Sequence, residues 1–232
     1  MAQVNEILEA SPTKAIIVGM LNGDSWVFAV LDLLAYRVVD TVWCYEPTIS
    51  PDGRYIAFIK FFPTHFVYDV DDHYMLYDTR LSPMQNRPPG TSSAAGELFL
   101  AINAGTPVYP PGIGNKDGDN TGVAPEDAHQ IACQSFFWWQ DSTGYVFADR
   151  YKGELYLVKV EVPPTTGNPA VSRAQITQFE LCGRLAKAKC YVNLVAIQFQ
   201  PHQMLAIFQG SGEAASLRKT LTIPDELFGR VR

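Results

Sequence analysis

The stretch with the most chemistry in it runs Asn115-Lys116-Asp117-Gly118-Asp119-Asn120-Thr121-Gly122-Val123-Ala124-Pro125-Glu126. Oxygen-bearing side chains recur at alternate positions and a carboxylate closes the run at its twelfth residue, which suits a hard cation such as calcium. Asn115, Asp117, Asp119 and Glu126 are the expected side-chain ligands, with Thr121 offering its carbonyl. Two features depart from a helix-flanked calcium loop: Asn120 stands where glycine is needed, and Pro110, Pro111 and Gly114 precede it where a helix should be. A polar surface loop rich in turn formers is the competing expectation.

Other constellations are shorter. Asp69, Asp71, Asp72 and His73 cluster at a loop-to-strand junction, where carboxylates bind metal, act as an acid–base pair, or simply keep strand edges solvated. Gly23-Asp24-Ser25 after the apolar stretch Ala15 to Met20 resembles the nucleophile block of GDS(L)-type hydrolases. A serine nucleophile needs a histidine oriented by an acid. The nearest Asp-x-x-His match, Glu126-Asp127-Ala128-His129, lies mid-chain, and a hairpin turn accounts for Gly23 to Ser25 more simply. His65, His73, His129 and His202 share no metal-ligand spacing. Cys182 and Cys190 bracket the basic segment Gly183 to Lys189 and would close it as a disulfide, or stand as two thiols beside a loop. Cys44 and Cys133 read as core thiols, and no C-x-x-C occurs.

Positioning such groups falls to strands. The chain has 232 residues, 47% hydrophobic, 18% charged and 12% aromatic, a composition of short strands and tight turns. Its net charge of −6 offers no basic face for nucleic acid. No apolar run approaches the ~18 residues of a membrane span, so membrane insertion is not expected. Met1 to Glu6 carries no basic-then-apolar signal pattern, predicting either a cytoplasmic protein or a mature form.

Four turn-and-strand units recur. Ser50-Pro51-Asp52-Gly53 leads into Tyr55 to Ile59, which reads as a strand buried on both faces, and then His73 to Asp78. Trp139 to Gly144 leads into Tyr145 to Asp149, a Lys152-Gly153 turn, and Glu154 to Val160. Phe199 to Gln203 leads into Met204 to Phe208 and Leu217 to Ile223. Asn22 to Ser25 leads into Trp26 to Leu31 and Tyr36 to Val42. Val4 to Ala10 predicts a short helix and Asp225 to Val231 a C-terminal turn of one. The result is one all-β domain over residues 1–232 with a long insertion from Ser82 to Gln130, in which Glu97 to Asn103 predicts a strand.

The run Trp43 to Asp78, with Ser50-Pro51-Asp52-Gly53-Arg54-Tyr55-Ile56-Ala57-Phe58, resembles the TolB-type (PD40, WD40-like) β-propeller repeat, and Phe136 to Val162 resembles it more loosely. The resemblance implies a β-propeller-like array of four-stranded antiparallel units, small or partial, with Asp52 bonding backbone amides of its turn. It also implies an extracytoplasmic, periplasmic protein that works as a partner of other proteins, without catalytic residues. A binding surface would come from loops and from aromatics such as Phe62, Phe66 and Tyr109, against a protein or a sugar. The competing expectation is a propeller hydrolase, glycosidase- or lactonase-like, using Asp69, Asp71, Asp72 and the Asn115–Glu126 loop with calcium.

Overall fold

The computed structural model describes residues 2–21, 25–60, 73–83, 85–86, 105–108, 130–132, 136–165, 167–184 and 190–230. Its strands are antiparallel throughout, and its contacts group into two compact units, Met1–Pro111 and Gly112–Arg232.

The first unit is a meander in chain order: β1 (Ala2–Ser11), β2 (Lys14–Leu21), β3 (Ser25–Asp32), β4 (Arg37–Ile49), β5 (Tyr55–Lys60), β6 (His73–Asp78) and β7 (Thr106–Pro107). The helix expected over Val4 to Ala10 is instead part of β1, paired with β2 from Ala2↔Leu21 to Ser11↔Lys14. Seven residues, of which only Glu6, Leu8, Glu9 and Ala10 are strong helix formers, make a marginal helix alone, and the ladder to the next strand overrides their propensity.

The long β4 changes partner midway. Arg37 to Trp43 pair with β3, and Cys44 to Ile49 pair with β5. A register shift between Tyr45 and Thr48, with Glu46 at φ 49°, marks a bulge that bends the strand there. Two four-stranded meanders, β1–β4 and β4–β7, therefore share one strand. Phe28 on β3 and Phe58 on β5 would be about 10 Å apart in a flat sheet. Their rings meet edge-to-face at 5.2 Å, so the meander folds over its own core of Ile16, Val18, Phe28, Val42, Ile56 and Met75. All of Tyr55 to Ile59 is buried, as a strand covered on both faces requires.

The Ser50–Gly53 turn carries its own wiring. Gly53 donates its N–H to the Ser50 carbonyl at 2.8 Å with φ 72°, Tyr55 donates to Ser50 Oγ at 2.9 Å, and Asp52 accepts from the Arg54 N–H at 3.1 Å. Beyond it, Asp78 accepts from Arg54 Nη2 at 3.2 Å and Arg80 Nη2 at 3.3 Å. Burial pushes the Asp78 carboxyl up more than the neighbouring Arg54 guanidinium pulls it down. The pair is thus no net source of stability, yet each half needs the other. Asp78→Ala removes the carboxylate that Arg54, 13% exposed, and Arg80 both bond. A loss of about 2–3 kcal/mol in denaturant unfolding is expected, discounted for partial exposure. A loss under about 0.5 kcal/mol would show the pair to be solvent-screened.

The second unit has two sheets. One holds β10 (Gly144–Tyr151), β11 (Glu154–Glu161), β12 (Ala170–Ile176) and β16 (Gly229–Arg230), with β8 (Gln130–Ile131) and β9 (Phe137–Trp138) pairing successively along the other side of β10. The second sheet is β13 (Tyr191–Gln200), β14 (Gln203–Ser211) and β15 (Arg218–Pro224). Val146, Ala148, Leu157 and Ile176 from the first sheet pack against Val192, Leu194, Met204 and Phe208 from the second. The Lys152-Gly153 turn has both residues at positive φ, 53° and 75°, the geometry a two-residue hairpin needs.

Two details differ from expectation. Helix α1 (Gln178–Cys182) arises from a capping box: Thr177 N–H donates to Glu180 Oε2 at 2.7 Å, and Glu180 N–H donates to Thr177 Oγ1 at 3.2 Å. The C-terminal turn is confined to a 3-10 turn at Asp225–Leu227, after which the chain becomes β16. The strand expected over Glu97 to Asn103 lies outside the described residues.

Candidate functional site

The turn before β10 repeats the wiring of the Ser50 turn. Trp139 donates its N–H to the Gly144 carbonyl at 2.9 Å, and Ser142 donates to the Trp139 carbonyl at 3.0 Å. Ser142 takes φ 60° where Gly53 takes 72°. Asp141 accepts from the Thr143 N–H at 3.1 Å and the Thr143 hydroxyl at 2.8 Å, and these bonds pull its carboxyl below the usual range.

This turn presents four consecutive aromatics, Phe136 to Trp139, and strand alternation cannot place all four in one core. Phe136 goes inward, meeting Tyr145 and Phe147 edge-on at 5.6 and 5.3 Å. Phe137, Trp138 and Trp139 are only half buried. With Ile197 and Phe199 of β13 they line a cleft of about 740 Å³, rimmed by Gln140, Asp141 and Gln198. Trp139 stacks on Phe199 at 4.8 Å with 28° between planes, and its ring lies over Gly144. Lys159 Nζ approaches the Trp139 ring at 6.0 Å and the Phe228 ring at 5.6 Å, held by Glu161 and Asp225 at 3.4 Å each. Beneath Trp138, at 4.6 Å, sits the fully buried Tyr145, whose hydroxyl has no hydrogen-bond partner among the described residues and whose pKa burial pushes up.

Such a cleft offers flat apolar surfaces beside amide and carboxylate groups. That combination takes an aromatic or proline side chain of a protein, or a sugar ring. Asp141, the titratable group in its lining, is occupied in shaping the turn.

The metal and binding residues nominated from sequence are not among the cleft's described lining. Asn115, Asp117, Asp119, Thr121 and Glu126 lie outside the described residues, as do Phe62, Phe66, Tyr109, Asp69, Asp71 and Asp72. Among the described residues no group of three or more His, Cys, Asp or Glu could hold a metal. Cys182 and Cys190 are joined in a disulfide, Cα–Cα 6.4 Å, and Cys44 is a buried free thiol. The aromatic run at Phe136 to Trp139 was visible in sequence, but its partner Phe199 belongs to another repeat and carried no signal tying the two together.

These elements define an all-β protein of antiparallel, blade-like meanders. No protein-family model and no curated protein matches the chain. Among solved structures it is similar to the β-propeller domain of the Trilobed protease from Pyrococcus furiosus, described as having an open velcro topology. The identity is 10% over 99% of this chain and 70% of that one, at a TM-score of 0.33. It is also similar to an uncharacterized protein from Listeria monocytogenes, at 10% identity over 96% of this chain and 66% of that one, with a TM-score of 0.33. At that identity and TM-score the likeness carries no function across.

Proposed function

We propose that this chain is a non-catalytic recognition module of the TolB-like propeller class, one domain that acts outside the cytoplasm and binds a protein partner through the aromatic cleft of its second unit. The observation that carries the reading is the cleft itself: half-buried Trp139 and Phe199, stacked on each other in its lining, with Asp141 tied into its turn. The repeated Ser50 and Trp139 turns support the class, since each uses one acid and one left-handed residue to launch a buried strand. The Cys182–Cys190 disulfide supports an oxidising compartment.

The test is affinity capture from source-cell extract with wild type, Phe199→Ala, and a variant shortened between Ser82 and Gln130. Wild type should retain a near-stoichiometric protein whose affinity falls at least ~10-fold with Phe199→Ala, the range of a buried aromatic anchor. Capture that survives Phe199→Ala but is lost on shortening the insertion would move recognition to the loops and overturn the cleft assignment.

A further inference from the structure

The end of the second unit opposite the cleft holds a cation that no acid among the described residues pairs with. Along β10, Arg150 follows Val146 and Ala148 on the face turned toward the second sheet. Its Nη2 donates to the Val192 carbonyl on β13 at 2.7 Å, and its guanidinium carbon lies 5.9 Å from the ring centre of Tyr191, which is 53% exposed. One of five N–H donors is therefore anchored, which holds the plane of the fork, and no carboxylate among the described residues pairs with it.

Among the described residues the acids of these strands and of α1 are engaged elsewhere. Asp149 is fully buried and, one residue away, points to the opposite face of the strand. Glu154 accepts from the Tyr156 hydroxyl at 2.8 Å and Gln175 Nε2 at 2.7 Å, and Glu180 accepts from Thr177. The Cys182–Cys190 disulfide, whose second half-cystine immediately precedes Tyr191, closes a segment that begins with Gly183 and the exposed Arg184.

We propose that Arg150 and Tyr191 form a binding site for an oxyanion, a carboxylate or phosphoryl group, at the rim between the two sheets of the second unit. A partly desolvated guanidinium gains most from an anion that accepts two parallel N–H bonds, and its planar fork matches both oxyanions. Burial draws Arg150 below its ordinary range, a cost that a bound anion would offset. A purely structural Arg150 would tie β10 to β13 through Val192 and nothing more.

The two roles separate in the arginine Nε–Hε resonances of the full ¹⁵N-labelled chain, titrated with sodium phosphate and, separately, with tetraglutamate, sodium chloride keeping ionic strength constant. The Arg150 resonance should shift and saturate with at least one probe, and Tyr191→Ala should weaken that response. Arg150→Met should weaken binding of the same probe, followed through the Tyr191 ring signals, by at least about tenfold, as loss of a bidentate charge-assisted pair implies. Saturation by phosphate alone assigns a phosphoryl ligand, and saturation by tetraglutamate alone assigns a carboxylate. Should Arg150→Met fail to fold, the wild-type titration and Tyr191→Ala decide. An Arg150 resonance that moves linearly and equally with both probes and with added chloride overturns the proposal.

Discussion

Gly144→Ala is expected to lower the stability of the second unit by about 3 kcal/mol, the upper part of the range for forcing a methyl group into packed surroundings. A Cβ at this position would stand 2.3 Å from the Val160 carbonyl oxygen and 2.5 Å from Trp139 Cζ3. The carbonyl belongs to β11, paired residue for residue with β10, and cannot retreat without breaking that ladder. The indole can move, but only by leaving Phe199, so loss of stability and loss of the cleft should appear together. For a chain of this size that is a fall of roughly 6–12 °C in Tm, with a changed tryptophan emission spectrum. Gly153→Ala is the control. Its φ of +75° costs an alanine about 1 kcal/mol, but nothing lies within 4 Å of the new methyl. If Gly144→Ala melts within a degree of wild type, Trp139 does not rest on Gly144 and the cleft has another shape.

Removal of the disulfide has the next largest expected effect. Cys182 and Cys190 are separated by eight positions, and closing so short a loop restricts the unfolded chain by about 2.5 kcal/mol. Cys182→Ser with Cys190→Ser should therefore melt roughly 5–10 °C below the oxidised protein. Reductant should bring wild type to the same value and leave the double variant unmoved. Both half-cystines are buried in the second unit's core, at 5% and 4% exposure, so reduction of the native protein should be slow. Cys44 will not confuse the measurement while the first unit is folded. Burial pushes its thiol far above the ordinary range, and the thiolate that alkylating agents attack is scarcely formed. A double variant as stable as wild type would mean that the pairing contributes nothing to the fold.

Much of the fold was legible because its determinants are local. Asp52 bonds an amide two residues away, and Asp141 does the same at Thr143, so each turn is specified by a handful of consecutive residues. Strands β5, β10 and β11 follow from those turns and from apolar runs too short to be helices. The N-terminal strand was misread because Val4 to Ala10 contains no trace of its partner; only the ladder to Lys14–Leu21 makes it extended. Helix α1 was legible in principle, since Thr177-Gln178-Phe179-Glu180 is a capping-box sequence.

The cleft was not legible, and neither was Arg150. Strand alternation assigns side chains to one face or the other, but it does not say what covers that face. Phe136 and Phe137 are chemically alike, yet one is buried beneath Tyr145 and Phe147 while the other lines an open cleft. Arg150 reads in sequence as one of 18 lysines and arginines, and the approach of β13 partly withdraws it from water beside Tyr191. By itself the sequence determined turns, strand positions and an all-β class, because those rest on contacts within a few residues of one another. The tertiary structure alone decided which aromatics line the cleft and which cation, among the described residues, pairs with no acid. Those outcomes depend on pairings between distant strands, whose energies no local pattern encodes.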